Sequence, residues 1–400
     1  MPKKSSVTLA LREVFPIFLR LGLTSFGGPV AHIGYFRHEF VERRKWLDEK
    51  AYADLVSLCQ FLPGPSSSQV GIALGEARAG ILGAFMAWLG FTLPSAAALT
   101  LCGLGFTAIN KTLGLGWTHG LKVVAVAVVA QALWSMSKTL TPDRLRLAMA
   151  VIAAATALQF HSSAGQIAII LAGAAIGCFF LKPAQQLPHT PLRATSGKRA
   201  GIIMLSAFFA LLFLLPVAAA QTNNYALQLF SDFYRVGSLV FGGGHVVLPL
   251  LQSDVVPKGW VSNDAFLAGY GLAQAVPGPL FTLAAFLGSV STRTPSGIIG
   301  GIIALAGIYL PSFLLLIGIL PFWEKLRVHP LIQRAMMGVN AVVVGILLAA
   351  FYNPVWTSAI HNGADFSLMI AAFLALQFWK FPSWAVVALA AVLNGLINIF

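Results

Sequence analysis

The stretch Arg20–Gly28, RLGLTSFGG, is followed by Trp46 and then by Gln60–Pro65, QFLPGP. The second half of the chain repeats these three elements in the same order as RVGSLVFGG, a tryptophan and QAVPGP, at Arg235–Gly243, Trp260 and Gln274–Pro279. A further block recurs in both halves, with Gly80, Gly83, Gly90, Pro94 and Ser95 matching Gly297, Gly300, Gly307, Pro311 and Ser312. Blocks that recur in one order at nearly constant spacing indicate an internal repeat of two halves.

The composition is typical of a membrane protein. The 400 residues are 58% hydrophobic and only 10% charged, and the mean hydropathy is +0.81, which no ordinary soluble domain reaches. Apolar runs that alone or with neighbouring residues reach the roughly 20 residues of a membrane span recur along the chain, at residues 80–109, 121–136, 164–181, 201–220, 297–323, 341–351 and 384–400. We therefore predict an all-α polytopic membrane protein.

The net charge of +13 raises the question of a nucleic-acid partner. No basic run is interleaved with aromatic residues, and a membrane protein concentrates lysine and arginine in its cytoplasmic loops. We therefore expect a lipid bilayer and no nucleic acid as partner. The three cysteines are solitary, and HExxH, GxSxG and GxxxxGK[ST] are all missing, so we predict no metal site, no cofactor and no enzymatic activity.

Glycine and proline interrupt the first segments at Gly27-Gly28-Pro29 and at Pro63-Gly64-Pro65. The helical arms between these breaks have about 12 to 16 residues, or roughly 18 to 24 Å, which is short of a full crossing. If every broken segment nevertheless crosses, the charged loop 37–50 lies outside. If the segments fold back as re-entrant hairpins, the loop is cytoplasmic and only Lys111, Lys258 and Arg293 lie outside, which the positive-inside rule favours.

Proline and basic residues mark a boundary between the halves. We predict an N-terminal repeat at 1–182, a cytoplasmic linker at 183–200 and a C-terminal repeat at 201–400, with the N-terminus also cytoplasmic. The apolar run 201–220 leads the second repeat and has no counterpart in the first. One extra crossing makes the halves antiparallel, which is the inverted-repeat arrangement of many secondary transporters.

Arg20 and Arg235 lie in apolar segments, six residues before the Phe-Gly-Gly break. A charge at membrane depth costs about 2.5 kcal/mol or more, so such an arginine faces protein or water and is a functional candidate. Its planar guanidinium suits a bidentate grip on an oxyanion. The alternative is an arginine that caps a helix or reaches the membrane interface.

The breaks also expose backbone N–H groups at the starts of new helical arms, where the positive helix end attracts anions. Nearby hydroxyl, amide and imidazole groups are further candidates, although glycine also serves close packing and the histidine and glutamines also satisfy local hydrogen bonds. The predicted substrate-binding residues are Arg20, Gly27, Gly28, Gln60, Gly64, Ser66, Ser67, Arg235, Gly242, Gly243, Gly244, His245, Gln274, Gly278 and Thr282.

At these motifs the chain resembles the long, two-domain form of the chromate ion transporter family. The resemblance rests on Phe26-Gly27-Gly28, Trp46-Leu47 and QFLPGP in the first half, and on their counterparts in the second. It implies efflux of chromate across the bacterial inner membrane, chromate resistance, and sulfate as a structural analogue of the substrate. A homodimer is compatible with it.

Two alternatives remain open at this stage. In the first alternative, the transported substrate is another tetrahedral oxyanion such as sulfate, molybdate or phosphate. In the second, the chain is an intramembrane lipid-handling enzyme. The second alternative needs a catalytic pair at membrane depth, and the sequence offers no convincing one.

Overall fold

A computed structural model describes residues 4–113, 116–160, 162–182 and 197–397, and the regular elements in these ranges are helices. Six of the helices are long and apolar enough to cross a membrane, at Ser66–Phe106, Gly116–Leu140, Ser163–Phe180, Lys198–Gln221, Gly297–Leu326 and Pro330–Trp356. The chain is therefore an all-α protein with several candidate membrane spans, as its composition predicts. The predicted linker lies largely outside the described residues.

The first half begins with four helices that are interrupted at the predicted breaks. Their bounds are α1 Lys4–Thr24, α2 Gly28–Arg37, α3 Glu49–Phe61 and α4 Ser66–Leu113. The break before α2 requires glycine because Gly27 adopts a φ of 99°, which side chains disfavour. Asp48 caps α3 by accepting a 2.8 Å hydrogen bond from the backbone N–H of Ala51, as its position predicts.

A sharp turn divides α4 into an arm at 66–78 and a long helix. Ala79 and Gly80 leave helical geometry there, and Gly80 has a φ of 67°. A Cβ placed on Gly75 would lie only 2.3 Å from the carbonyl oxygen of Gly83. The arm therefore folds back against the long helix, with glycine backbones in contact. Three more helices complete this half, α5 Gly116–Leu140, α6 Arg144–Gln159 and α7 Ser163–Phe180.

The second half has the same order of elements after one additional helix, α8 Lys198–Gln221. The counterparts of α1 to α4 are α9 Tyr225–Leu239, α10 Val247–Val255, α11 Asn263–Ala275, α12 Leu283–Ser289 and α13 Gly297–Ile319. Here the fold-back lies between α12 and α13, and a Cβ on Gly288 would lie 2.2 Å from the carbonyl oxygen of Gly300. The remaining helices are α14 Trp323–Leu326, α15 Pro330–Ala350, α16 Gly363–Gln377 and α17 Ser383–Ile397.

The two repeats also share their internal packing. A Cβ on Gly22 of α1 would lie 2.7 Å from the carbonyl oxygen of Phe91 in α4. At the matching place in the second half, a Cβ on Gly237 of α9 would lie 2.2 Å from the carbonyl oxygen of Ile308 in α13. In both repeats the first helix therefore packs backbone to backbone against the long helix, which explains why both glycines recur.

The charged loop 37–50 is held by its own ion pairs. Its first turn, His38–Arg43, is π-helical and places the buried Glu39 next to two guanidinium groups. Arg43 and Arg44 donate to the Glu39 carboxylate at 3.0 and 2.5 Å. Glu39 thus serves as the partner of two basic residues of the loop.

Candidate anion-binding site

Each Pro-Gly-Pro break is bonded to the Gly-Gly break of the other repeat. The backbone N–H of Gly64 donates to the carbonyl of Val240 at 2.7 Å, just before Phe241-Gly242-Gly243. The backbone N–H of Gly278 donates to the carbonyl of Ser25 at 2.9 Å, just before Phe26-Gly27-Gly28. The breaks of both halves therefore meet in one region of the molecule. Because a contact and its reciprocal are both present, the repeats are related by a pseudo-two-fold axis there.

These two hydrogen bonds change the role expected of Gly64 and Gly278. Their N–H groups are bonded to carbonyl groups of the opposite repeat, so they are not free donors for an anion. A Cβ on Gly64 would lie 2.7 Å from the hydroxyl of Ser312, and one on Gly278 would lie 2.8 Å from that of Ser95. Glycine is therefore required at both positions for the close crossing of the two repeats.

Residues of both repeats line a cavity of about 570 Å³ next to this crossing. The lining includes Gly27 and Gly28 from the first repeat and His245 and Gln274 from the second. Four of the predicted site residues are thus brought together, although they are up to about 250 positions apart in the chain. Other polar residues that line the cavity are Tyr35, Gln131, Gln377, Lys380 and Ser383.

The first group suited to an anion is the start of α2. Gly27 occupies the cap position with a φ of 99°, and no side chain makes a capping hydrogen bond there. The first backbone N–H groups of a helix have no partner within the helix and carry its positive dipole end. Since Gly27 and Gly28 both line the cavity, this end of α2 is available to a negatively charged ligand.

Two side chains complete the donor set. The Nε2 of Gln274 is buried and has no hydrogen-bond partner, so it can donate to a ligand in the cavity. Lys380 supplies a positive charge from the turn between α16 and α17, where its φ is 54°. Lys380 was not predicted from the sequence, because it lies in the last quarter of the chain and outside the repeated motifs. The signal in the sequence that could have identified Lys380 is its position as a charged residue in an apolar region, just before Phe381-Pro382.

His245 lines the same cavity and is held by a neighbour. Its Nδ1 lies 2.7 Å from the hydroxyl of Tyr270 in α11. This contact holds the ring of a residue that lines the cavity. The two roles considered from the sequence, a satisfied polar histidine and a site residue, are therefore compatible.

The remaining predicted hydroxyl, amide and glycine residues do not line the cavity. Gln60 is exposed on α3, although it is the repeat counterpart of Gln274. The buried Ser67 lies 3.3 Å from the Nδ1 of His32, next to the half-buried Ser66. Thr282 donates to the carbonyl of Pro279 at 2.7 Å and so stabilises the turn that begins the next arm.

At the second break, packing accounts for Gly242 and Gly244, and chain geometry accounts for Gly243. A Cβ on Gly242 would contact Leu140 and Val343 at 3.3 Å, and one on Gly244 would contact Pro29 at the same distance. Gly243, with a φ of 133°, has open space around it and shapes the turn. The second break therefore serves mainly to fit the two repeats together, whereas the first one faces the cavity.

The two arginines do not converge on this cavity. Arg235 lines a second cavity and donates to Asp254 at 2.7 Å and to Asp232 at 3.2 Å. Arg20 is exposed and forms no ion pair with the described residues. Part of the difference lies in the sequence one helical turn earlier, since α9 has Asp232 where α1 has Ile17, and part lies in the placement of Asp254 of α10 beside Arg235. The expected convergence of both guanidinium groups with the glycine breaks is thus not observed.

Comparison with known proteins covers both repeats. The chromate transporter family matches residues 12–178 and 227–395, which leaves α8 between the two matched segments. A chromate transport protein of Pseudomonas aeruginosa is 28% identical over 96% of this chain and 91% of its own length. A chromate transport protein of Cupriavidus metallidurans is 27% identical over 97% of this chain and 93% of its own length.

A shorter relative matches one half of the chain. The uncharacterized transporter YwrA of Bacillus subtilis is 30% identical over 43% of this chain and 97% of its own length. No solved structure matches this chain. The match across both repeats and the several apolar helices place the chain in the chromate transporter family, as a multi-pass membrane transporter and not an enzyme.

Proposed function

We propose that this chain is a secondary transporter that exports chromate across the bacterial inner membrane and thereby confers chromate resistance. The observation that carries the proposal is the cavity of about 570 Å³ where both repeats meet. The uncapped start of α2, the unpartnered amide of Gln274 and the Lys380 ammonium group suit a small dianion with four oxygens. The identification of chromate as the substrate rests on relatives that are named chromate transport proteins and match nearly the full chain.

The direction of transport follows from the membrane potential. Chromate at neutral pH is largely a dianion, and each charge that moves outward through an inside-negative membrane releases about 2.3 kcal/mol per 100 mV. Two charges release roughly 4.6 kcal/mol per 100 mV, so export needs no ATP. This agrees with the lack of a nucleotide-binding motif in the sequence.

We further propose that the helical arms form re-entrant hairpins in two inverted repeats. The fold-back of the arm 66–78 on the long helix of α4, and that of α12 on α13, support this arrangement. The reciprocal bonds of Gly64 and Gly278 support a pseudo-two-fold relation between the repeats, and in the proposed inverted arrangement its axis lies in the membrane plane. With the N-terminus in the cytoplasm, the basic loop 37–50 is then also cytoplasmic.

Transport assays in a chromate-sensitive bacterial host test the proposed function. We expect cells that express the chain to hold less chromate than cells with an empty vector, and to grow at higher chromate concentrations. Sulfate, added as a competitor, should restore the accumulation of chromate more effectively than phosphate. Equal chromate content in both strains would contradict the proposal. Export of molybdate or phosphate in place of chromate would assign the transporter to that oxyanion.

A further inference from the structure

The second cavity, of about 470 Å³, is separate from the site at the helix breaks and lies within the second repeat. Its lining includes three basic residues, Arg235, Lys258 and Arg293, together with Asp232 and Gln228. The lining also contains Trp260, and the ammonium group of Lys258 lies 4.7 Å from the centre of its ring. Basic residues therefore outnumber acidic ones around this space.

The acidic residues near the cavity already have partners. Asp254 accepts from Arg235 at 2.7 Å and from the hydroxyl of Ser163, and Asp232 accepts from Arg235 and Lys258. Arg293 is exposed at the cavity and forms no ion pair with the described residues. One guanidinium group at the mouth of the cavity is thus left without a carboxylate from the described chain.

In the first repeat, the arginine at the matching place is paired with a carboxylate of the chain. There Arg78 ends the arm 66–78, just before the turn into the long helix, and Arg293 lies in the corresponding turn between α12 and α13. Glu13 accepts from Arg78 at 2.8 Å and from Arg44 at 3.0 Å, and the guanidinium group of Arg78 lies over the ring of Trp46. Trp46 is the repeat counterpart of Trp260, so the two clusters occupy matching places.

The position that corresponds to Glu13 in the second repeat is Gln228, at the spacing that also relates Arg20 to Arg235. Gln228 lines the cavity and carries no charge. The Glu13 carboxylate of the first repeat thus has a neutral amide at its place in the second, where Asp232 bonds to Lys258 and Arg293 keeps no carboxylate partner among the described residues. The basic residues around Arg293 are left with room for an anion from solution.

We propose that this cavity is a second oxyanion site, in which a sulfate-like dianion takes the place that the Glu13 carboxylate has in the first repeat. Arg293 supplies the unpaired charge, Lys258, which is paired with Asp232, lines the same cavity, and Gln228 and Ser231 supply polar groups around the ligand. Since Arg293 and Lys258 are solvent-exposed, the site binds weakly and raises the local concentration of the anion. Its role as a loading site for transport rests on the proposed function, but its binding of an anion does not.

The substitution Gln228→Glu tests the proposal because it restores the missing carboxylate. Gln228→Ala is the matched control, since both changes remove the 3.1 Å hydrogen bond from Gln228 to the carbonyl of Thr222 and only one adds a charge. Binding of radiolabelled sulfate to the purified chain is measured by equilibrium dialysis at low ionic strength. We expect two classes of site in the wild type and in Gln228→Ala. In Gln228→Glu and in Arg293→Gln the weaker class should lose about tenfold or more in affinity.

The stronger class of site reports on folding and on the proposed function. It should persist in Gln228→Glu, which shows that the variant is intact, and it should weaken by about tenfold or more in Gln274→Ala. If Gln228→Glu and Arg293→Gln both keep the weaker class at wild-type affinity, the second site does not exist. If the weaker class behaves as expected but Gln274→Ala changes neither binding nor transport, the proposed function fails while this inference stands.

Discussion

At the scale of single residues, the cavity between the repeats depends on donors that the rest of the chain does not satisfy. Gln274 and its repeat counterpart Gln60 have the same sequence context, three residues before Pro-Gly-Pro. Only Gln274 lines the cavity with a buried and unpartnered Nε2, whereas Gln60 is exposed. Substituting each glutamine in turn therefore distinguishes a role in anion binding from a role in the structure of the helix break.

We expect Gln274→Ala and Lys380→Ala each to raise the apparent KM for the transported anion by about tenfold or more. Each removes one hydrogen bond or charge contact to a charged ligand, which is typically worth about 1.5–3 kcal/mol. Gln60→Ala is the control and should transport as the wild type does. The measurement is uptake of labelled anion into inverted membrane vesicles at several concentrations. Equal KM values in all three variants would show that the anion binds elsewhere.

At the scale of the elements, the crossing of the four helix breaks holds the two repeats together. Gly64 and Gly278 have φ values of 118° and 103°, and each N–H bonds to the opposite repeat. The same glycines that interrupt the helices thus also make the contact between the halves. Local chain geometry and tertiary packing require glycine at these positions for two independent reasons.

Gly64→Ala and Gly278→Ala should therefore destabilise the protein by at least about 1–2 kcal/mol, because a left-handed backbone penalises a side chain. The new methyl group would also lie within 3 Å of the Ser312 or Ser95 hydroxyl. Gly34→Ala is the control, since no atom lies within 4 Å of a Cβ placed there. Thermal unfolding of the detergent-purified variants measures the difference. An unfolding temperature in Gly64→Ala equal to that of Gly34→Ala would contradict the crossing.

At the scale of the whole molecule, the topology depends on whether the broken segments cross the membrane or fold back. The loop 37–50 and the segment around Arg293 distinguish the two threadings, because re-entrant hairpins place them on opposite sides. Lys50 and Arg293 are both exposed, so a cysteine at either position is accessible to a reagent.

We expect Lys50→Cys to resist a membrane-impermeant maleimide in intact spheroplasts and to react in inverted vesicles, and Arg293→Cys to show the reverse. The background replaces the three native cysteines by serine. The physical reason is the positive-inside rule, which retains the basic loop in the cytoplasm. Labelling of Lys50→Cys from outside would mean that each broken segment crosses completely and that the hairpins are not re-entrant.

Much of the fold could be predicted from the sequence because its signals are local. The helix breaks at residues 27–28 and 63–65 follow from the positive φ of glycine and from the missing N–H of proline, and both were found where predicted. The site was predicted less completely. Gly27, Gly28, His245 and Gln274 line the cavity, but Lys380 was missed and Arg20 lies outside it. Whether a side chain points into a cavity depends on which distant helix packs beside it.

The sequence by itself determined that this chain is a membrane protein of two repeats, since hydrophobicity, glycine and proline act on the chain within a few residues. Only the tertiary structure decided that the glycine N–H of each Pro-Gly-Pro break donates a hydrogen bond to a carbonyl of the opposite repeat and so is not free for a ligand. It also decided that Arg235 is neutralised by Asp232 and Asp254 while Arg20 is not. The first outcome depends on contacts between elements far apart in the chain. The second depends on how α10 packs against α9, because that packing brings Asp254 to Arg235.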